Sequence, residues 1–142
     1  MSHVMRRWAP LVVFAAGLLA GCGERDAGVR GSVRGRVTLD GSPLAAGWVT
    51  FEPTAGTSGP TAGGEIAKGV LSIKTAKGPA IGTNLVRISS MQPTGKKVPG
   101  GLTGELIDEL AEIVPKHYNT ATTLEVEIKK GRNDLNLDLQ SK

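Results

Sequence analysis

Cysteine, aromatic residues and long apolar runs are all scarce in this chain. Cys22 is its single cysteine, so no disulfide can form within the chain and packing must hold the fold. Aromatic residues make up only 4% of the sequence, which leaves few platforms on which a sugar ring could stack. The longest apolar run, at 8–20, has about 13 residues, whereas a helix needs roughly 20 to cross a bilayer. That run is therefore too short to be a transmembrane helix.

A strong charge of one sign is also missing. The 142 residues carry 17 Lys and Arg against 13 Asp and Glu. Arg6 and Arg7 belong to the leader described next, and without them the basic excess falls to two. Proteins that bind nucleic acids usually show a clustered basic face. We therefore expect no nucleic-acid partner.

The first 22 residues have the order of an export signal. Arg6 and Arg7 precede the apolar run, and small residues come before the cysteine. A charged start, a short apolar segment and a small-residue cleavage site describe a secretory signal. The ending Leu19-Ala20-Gly21-Cys22 resembles the lipobox of bacterial lipoproteins, in which the cysteine thiol is acylated before cleavage. An ordinary secretory signal with an incidental cysteine is the alternative.

The lipobox resemblance implies how the chain is processed and where it resides. Cleavage of the Gly21–Cys22 bond would remove residues 1–21 and leave the cysteine as the lipidation site. Residues 22–32 are rich in Gly and charge and would form a tether, with a single domain at 33–142. Gly23 stands where an Asp would resemble an inner-membrane retention signal. We therefore expect a membrane-anchored protein of the cell envelope, with the outer membrane favoured over the inner.

Short alternating runs between Gly- and Pro-rich stretches predict an all-β domain. Apolar residues alternate with polar ones, as in half-buried strands. The runs lie at 33–39, 48–52, 65–67, 70–74, 85–89, 124–129 and 134–139. Asp40-Gly41 and Lys68-Gly69 predict tight turns, and residues 130–133 are predicted to join the last two strands as a hairpin loop. One dry face per strand is typical of antiparallel sheets packed on a single core.

Residues 102–113 give the one helical signal. Thr103 can cap this segment, and Leu102 and Ile107 occupy the positions of a hydrophobic staple. Its apolar residues form one stripe and its acidic residues line the rest. We predict a short helix that lies on the sandwich and follows a polar loop at 92–101.

The first two strands carry a resemblance to a known family. Residues 35–44 followed by 47–53 are similar to the opening of carboxypeptidase regulatory-like domains, and 69–73 and 78–82 resemble their central strand and the turn after it. The resemblance implies an antiparallel, seven-stranded β-sandwich of the transthyretin-like or immunoglobulin-like type. Parts of 114–139 resemble a subgroup of small bacterial lipoproteins.

Residues suited to catalysis or metal binding are few. His117 is the one histidine after the leader, and packing beside Tyr118 is the favoured interpretation; a hydrolase centred on His117 is an alternative. Zinc requires clustered Cys and His. Asp134, Asn136 and Asp138 alternate along one predicted strand, without a loop that would fold them around calcium. We expect no catalytic residue, no metal and no cofactor, and therefore not an enzyme.

Four residues are candidates for binding. Trp48 is the best aromatic platform, together with Tyr118, although an outward tryptophan on a strand more often packs under a loop. Lys96 and Lys97 could meet an anionic surface such as lipid headgroups. The sequence thus favours a non-catalytic protein-interaction module at the cell envelope. Carbohydrate or peptidoglycan binding is the alternative function.

Overall fold

β-strands account for most of the regular structure of the domain. The computed structural model describes residues 29–54 and 56–142, so the predicted signal peptide, its Gly21–Cys22 cleavage site and the lipidation site Cys22 lie outside the described residues. Ten strands follow in chain order: β1 (Gly31–Leu39), β2 (Ser42–Pro43), β3 (Ala46–Pro53), β4 (Ala62–Ala67), β5 (Val70–Ile73), β6 (Gly82–Ser89), β7 (Met91–Gly100), β8 (Glu105–Glu112), β9 (Glu125–Ile128) and β10 (Gly131–Leu139). Short 3-10 turns lie at Thr75–Lys77 and Lys116–Tyr118.

Eight strands form one sheet and the other two form a separate hairpin. The sheet has the order β10-β1-β5-β4-β3-β6-β9, with β2 paired to β1, and β7 pairs with β8 alone. All of these pairings are antiparallel except that of β1 with β10, which is parallel. The prediction of a mostly antiparallel all-β domain is confirmed, with this one parallel pair as the difference.

The sheet curls around a single hydrophobic core. The interior strand β3 contributes Val49 and Phe51, both fully buried. The two edge strands contribute Ile128 from β9 and Leu137 and Leu139 from β10 to the same cluster. Because strands at opposite edges share one core, the sheet has the character of a sandwich or barrel. Burial of apolar area at about 25 cal/mol per Å² drives this arrangement.

Both two-residue turns predicted from the sequence are present. Asp40 and Gly41 have φ of 50° and 81°, and Lys68 and Gly69 have φ of 51° and 75°. A tight two-residue hairpin turn needs positive φ at both of its central residues, because this backbone twist matches the twist of the flanking strands. The turns join β1 to β2 and β4 to β5, as the sequence predicted.

The predicted hairpin between the last two strands is wrong. β9 pairs with β6, and β10 pairs with β1 at the other edge of the sheet. Asn133 stabilises the connection that carries the chain from β9 to β10. Its Oδ1 accepts a hydrogen bond from the Lys129 N–H at 2.8 Å, and its Nδ2 donates one to the Ser32 carbonyl at 3.0 Å. The Asn133 side chain therefore bonds to the backbone of the β9–β10 connection and to the backbone of β1. Strands β9 and β10 do not pair with each other.

The predicted helix at 102–113 is also wrong, and the predicted loop at 92–101 is strand β7. Among the described residues there is no α-helix. Gly101 and Gly104 adopt positive φ of 62° and 68° and turn the chain between β7 and β8. Leu106 and Leu110 are four positions apart, a spacing that shares one face in a helix and equally in a strand. The sequence pattern could not separate the two.

The strand directions give the domain two distinct ends. We call the end where β1 begins the proximal end; the starts of β4, β6 and β10 lie there, with the loops at 54–61, 74–81 and 129–130. These segments contact one another: the Gly31 N–H donates to the Pro79 carbonyl, and the Ile81 N–H donates to the Val29 carbonyl, both at 3.0 Å. The opposite, distal end carries the β7–β8 hairpin.

Candidate functional site

Trp48 stands on the outer face of β3, as the alternation of that strand predicted. Its neighbours Val49 and Phe51 are buried, while the indole is 52% exposed. Across the ladder Trp48 pairs with Glu65 of β4 and Ser89 of β6. The predicted binding residue is therefore accessible to a ligand rather than covered by a loop.

Gly63 lies beside Trp48 and forms the floor of an open groove. A Cβ atom at Gly63 would lie 2.7 Å from the indole Nε1, so the ring rests directly on the Gly63 backbone. At Gly64 a Cβ would meet the Ile73 side chain at 2.6 Å. The groove has a volume of about 540 Å³. Gly63 thus leaves room for the ring against β4, whereas Gly64 faces the core side chains on the other side of the strand.

Charged side chains border this groove, which we call the Trp48 groove. Glu65 lies on one side, and Lys74 and Lys77 lie on the other. An aromatic platform with both carboxylate and ammonium groups at its rim offers stacking and hydrogen bonds together. Such an arrangement suits a small polar ligand with a flat face.

Tyr118 is not part of the Trp48 groove. It lies in the 3-10 turn at 116–118, packs against the core, and its hydroxyl accepts from the Gln140 N–H at 3.4 Å. The His117 ring lies beside it, with ring centroids 4.2 Å apart and planes tilted by 50°. The structure thus separates the two predicted aromatic binding residues.

Lys96 and Lys97 lie on β7 rather than in a loop. Both are exposed, and the Lys97 Nζ lies 2.7 Å from the Asp108 Oδ1 across the hairpin. The hairpin also carries Glu105, Glu109 and Glu112, so four carboxylates outnumber the two lysines. The pair of lysines is therefore embedded in an acidic element.

The β7–β8 hairpin presents an apolar surface that sequence reasoning missed. Pro99 is paired with Leu106 and Pro93 with Leu110, so these side chains share one face, on which the Lys97–Asp108 ion pair lies between them. Leu106 is 62% and Leu110 is 52% exposed, and Leu102 at the tip is fully exposed. We call the face formed by Met91, Pro93, Pro99, Leu106 and Leu110 the hairpin surface. Pro93 and Pro99 are the reason that the sequence did not predict this surface, because proline is uncommon inside strands and favours a loop.

Glu112 fastens the base of the hairpin to the sheet. Its carboxylate accepts hydrogen bonds from the Ser90 N–H at 2.7 Å, the Val114 N–H at 2.9 Å and the Asn119 Nδ2 at 3.0 Å, and from the Ser89 hydroxyl. Desolvation is the largest single influence and raises the pKa of this carboxyl. The hydrogen bonds together outweigh it and lower the pKa below the ordinary 4.5.

Neither a metal-binding cluster nor a membrane-spanning helix occurs among the described residues. Within residues 29–54 and 56–142, no three His, Cys, Asp or Glu side chains converge where they could hold a metal ion. Asp134, Asn136 and Asp138 are exposed along β10, and Asp138 accepts from the Thr38 hydroxyl at 2.7 Å. In that same part of the chain, no helix is long and apolar enough to cross a membrane.

Comparisons with known proteins give no relative for this chain. No protein-family model, no curated protein and no solved structure matches it.

Proposed function

We propose that this chain is a membrane-anchored bacterial lipoprotein whose non-catalytic β-domain is a protein-interaction module at the cell envelope. The observation that carries the proposal is the hairpin surface. Clusters of exposed apolar side chains mark interaction sites on protein surfaces, and here two such clusters flank the Lys97–Asp108 ion pair. A two-stranded hairpin is only marginally stable in water without a further layer. A partner protein that covers the hairpin surface would supply that layer.

The hairpin offers two kinds of contact to such a partner. Both β7 and β8 are edge strands, because each pairs only with the other. An extended segment of a partner could add to either edge through main-chain hydrogen bonds, with Leu106 and Leu110 setting side-chain specificity. The excess of carboxylates on the hairpin favours a partner surface that is apolar at its centre and basic at its rim.

The anchor is proposed at Cys22. Each buried methylene of an acyl chain contributes about 0.8 kcal/mol, and two or more chains hold a protein stably at a membrane. Cys22→Ser should abolish incorporation of labelled palmitate and either release the protein to the soluble fraction or leave its leader uncleaved. Unlipidated mature wild-type protein in the soluble fraction would contradict the anchor. Gly23 supports the outer membrane as the destination.

We further propose that the domain is a carboxypeptidase regulatory-like β-sandwich of the transthyretin-like type. The similarity of 35–44 and 47–53 to that family's opening supports this assignment. The main path of the sheet has seven strands, the number that the resemblance implies.

In-cell crosslinking tests the interaction proposal. Wild-type protein should capture a reproducible protein neighbour, identified by mass spectrometry. The variant Leu106→Ser/Leu110→Ser should lose that neighbour, while Val70→Ser, an equally exposed apolar position on β5, should retain it. Capture that is the same from all three proteins, or none above the Cys22→Ser control, would contradict a role for the hairpin.

Glycan binding at the Trp48 groove is the second candidate function. The exposed indole on a glycine floor favours it, since aromatic rings stack on the apolar faces of sugars. Isolated cell wall should retain the wild-type protein, and Trp48→Ala should lower retention at least tenfold, the effect of about 1.4 kcal/mol. Equal retention of the two proteins would contradict this function.

A further inference from the structure

Basic side chains gather at the proximal end of the domain. Lys74 and Lys77 flank the 3-10 turn that follows β5, and Lys129 and Lys130 form the connection between β9 and β10. All four are exposed. We define the proximal basic cluster as Arg30, Lys74, Lys77, Lys129, Lys130 and Arg132.

The fold holds this cluster together at one end. The Arg30 Nη1 donates to the Gly78 carbonyl at 3.3 Å, which places this guanidinium beside the turn that bears Lys77. Arg132 lies next to Ser32 across the β1–β10 ladder. The loops at 54–61, 74–81 and 129–130 contain no Asp or Glu in the sequence. Carboxylates nearby include Asp134, paired with Arg132 at 3.2 Å, Glu65, which lines the Trp48 groove with Lys74 and Lys77, and Glu127, two residues before Lys129, so the basic side chains remain in excess at this end.

A recess within this end is suited to an anionic headgroup. It has a volume of about 320 Å³, and Arg34, Lys74 and Arg132 lie around it with the hydroxyls of Ser32, Ser72 and Thr75. Guanidinium, ammonium and hydroxyl groups are the donors that phosphate oxygens prefer. The recess is therefore a place where a phosphate-bearing group can be held among several donors.

The proximal end is also where the predicted lipid anchor joins the domain. Six residues separate Cys22 from Val29, the first residue described. Even fully extended, a chain of this length spans at most about 25 Å. Electrostatic attraction to a membrane extends over a Debye length of about 8 Å at physiological salt. An acylated Cys22 would thus keep the proximal end close to the lipid surface, with the acidic β7–β8 hairpin at the far end.

We propose that the proximal basic cluster docks on an anionic phospholipid bilayer and orients the domain with its hairpin surface outward. The inference rests on the lipid anchor of the proposed function. Clusters of four to eight Lys and Arg beside a membrane anchor bind anionic lipids. A basic patch also supplies the second attachment that makes lipid anchoring stable. The domain then stands in one orientation instead of swinging freely on its tether.

Lysine acetylation on vesicles tests the orientation. The acylated full-length protein is reconstituted into vesicles of phosphatidylcholine alone or with about 30% phosphatidylglycerol, and the acetylation rate of each lysine is measured by mass spectrometry. On anionic vesicles, Lys74, Lys77, Lys129 and Lys130 should react several-fold more slowly than on neutral ones. Lys96 and Lys97 on the distal hairpin should be unchanged. Salt at about 0.5 M should remove the difference.

Charge variants give a matched second test that does not need the acyl group. In the Cys22→Ser chain, Lys129→Gln/Lys130→Gln should weaken co-sedimentation with the anionic vesicles roughly tenfold. The adjacent-lysine control, Lys96→Gln/Lys97→Gln, should leave it unchanged. The leader, if retained, contributes equally to every variant.

Two results would overturn the docking proposal. One is equal acetylation of the proximal lysines on neutral and anionic vesicles. The other is an equal effect of the two lysine-pair variants on co-sedimentation. Failure of the anchor is visible separately, because wild-type protein would then incorporate no labelled palmitate even though the charge variants still differ on vesicles.

Discussion

The carboxylate of Glu112, at the end of β8, accepts a hydrogen bond from the backbone N–H of Ser90, immediately before β7. This contact joins the last residue of the hairpin to the residue that precedes its first strand. The Ile113 N–H donates to the Ser90 carbonyl at 3.0 Å and continues the same junction. These hydrogen bonds fasten the base of the hairpin to the end of the sheet, while Leu106 and Leu110 stay exposed.

Acidification should loosen this junction. Because the pKa of Glu112 is lowered in the folded protein, the stability it contributes is present above its unfolded pKa. That stability is lost as the pH falls through the folded value, which lies below 4.5. Glu112→Gln should lower the free energy of unfolding at pH 7 by about 1 kcal/mol, since the carboxylate is partly exposed. Denaturant unfolding between pH 7 and pH 3 measures both effects.

The control for this prediction is Glu105→Gln at the other end of β8. Glu105 is exposed, and its substitution should leave stability within about 0.5 kcal/mol of wild type. Wild type and Glu112→Gln should differ at neutral pH and converge in acid. A stability difference that stays constant from neutral pH into acid would show that the carboxylate charge plays no part in the junction.

Asn133 should be indispensable for the crossing from β9 to β10. Its amide both donates and accepts, so Asn133→Asp removes the donor and places a buried negative charge against the carbonyls of Ser32 and Lys129. We expect a loss of about 3 kcal/mol or more in the free energy of unfolding. Asn136→Asp, three positions later at an exposed site of the same strand, should change stability little. Equal effects in thermal unfolding would refute the role of Asn133.

Truncation of the hairpin surface should leave the fold intact. Leu106 is 62% exposed, so Leu106→Ala should change the free energy of unfolding by no more than about 0.5 kcal/mol. Leu71 is buried in the core, and Leu71→Ala should cost about 2–5 kcal/mol. A large loss on Leu106→Ala would instead mean that this side chain packs on the domain, as the predicted helix required. Guanidinium unfolding curves distinguish the two outcomes.

Local sequence signals predicted most of the main sheet. Alternation placed Val49 and Phe51 inside and Trp48 outside, and Asp40-Gly41 specified its turn. These features depend on neighbouring residues, which is why a single sequence reveals them. The partner of each strand depends on distant residues. The parallel pairing of β1 with β10 joins residues that are about 100 positions apart in the chain. No local sequence pattern predicts this pairing.

The β7–β8 hairpin and the proximal basic cluster could not be predicted from the sequence, because both depend on how distant segments pair. Leu106 and Leu110 fit a helix as well as a strand, and only the pairing with β7 decides between them. Lys74 and Lys130 lie far apart in the chain, and the strand directions bring both to one end. Trp48 was predicted as a binding residue, whereas its glycine floor at Gly63 depends on the β3–β4 register.

Site-specific photo-crosslinking in living cells tests the interaction proposal most directly. A photoreactive amino acid at Leu110, on the hairpin surface, should form a crosslink to one reproducible protein. The same amino acid at Val70, which is equally exposed on the body of the domain, should not capture that protein. Crosslinks from Val70 but not from Leu110, or crosslinks from neither position to any protein, would contradict the proposal that the hairpin is the contact surface of an interaction module.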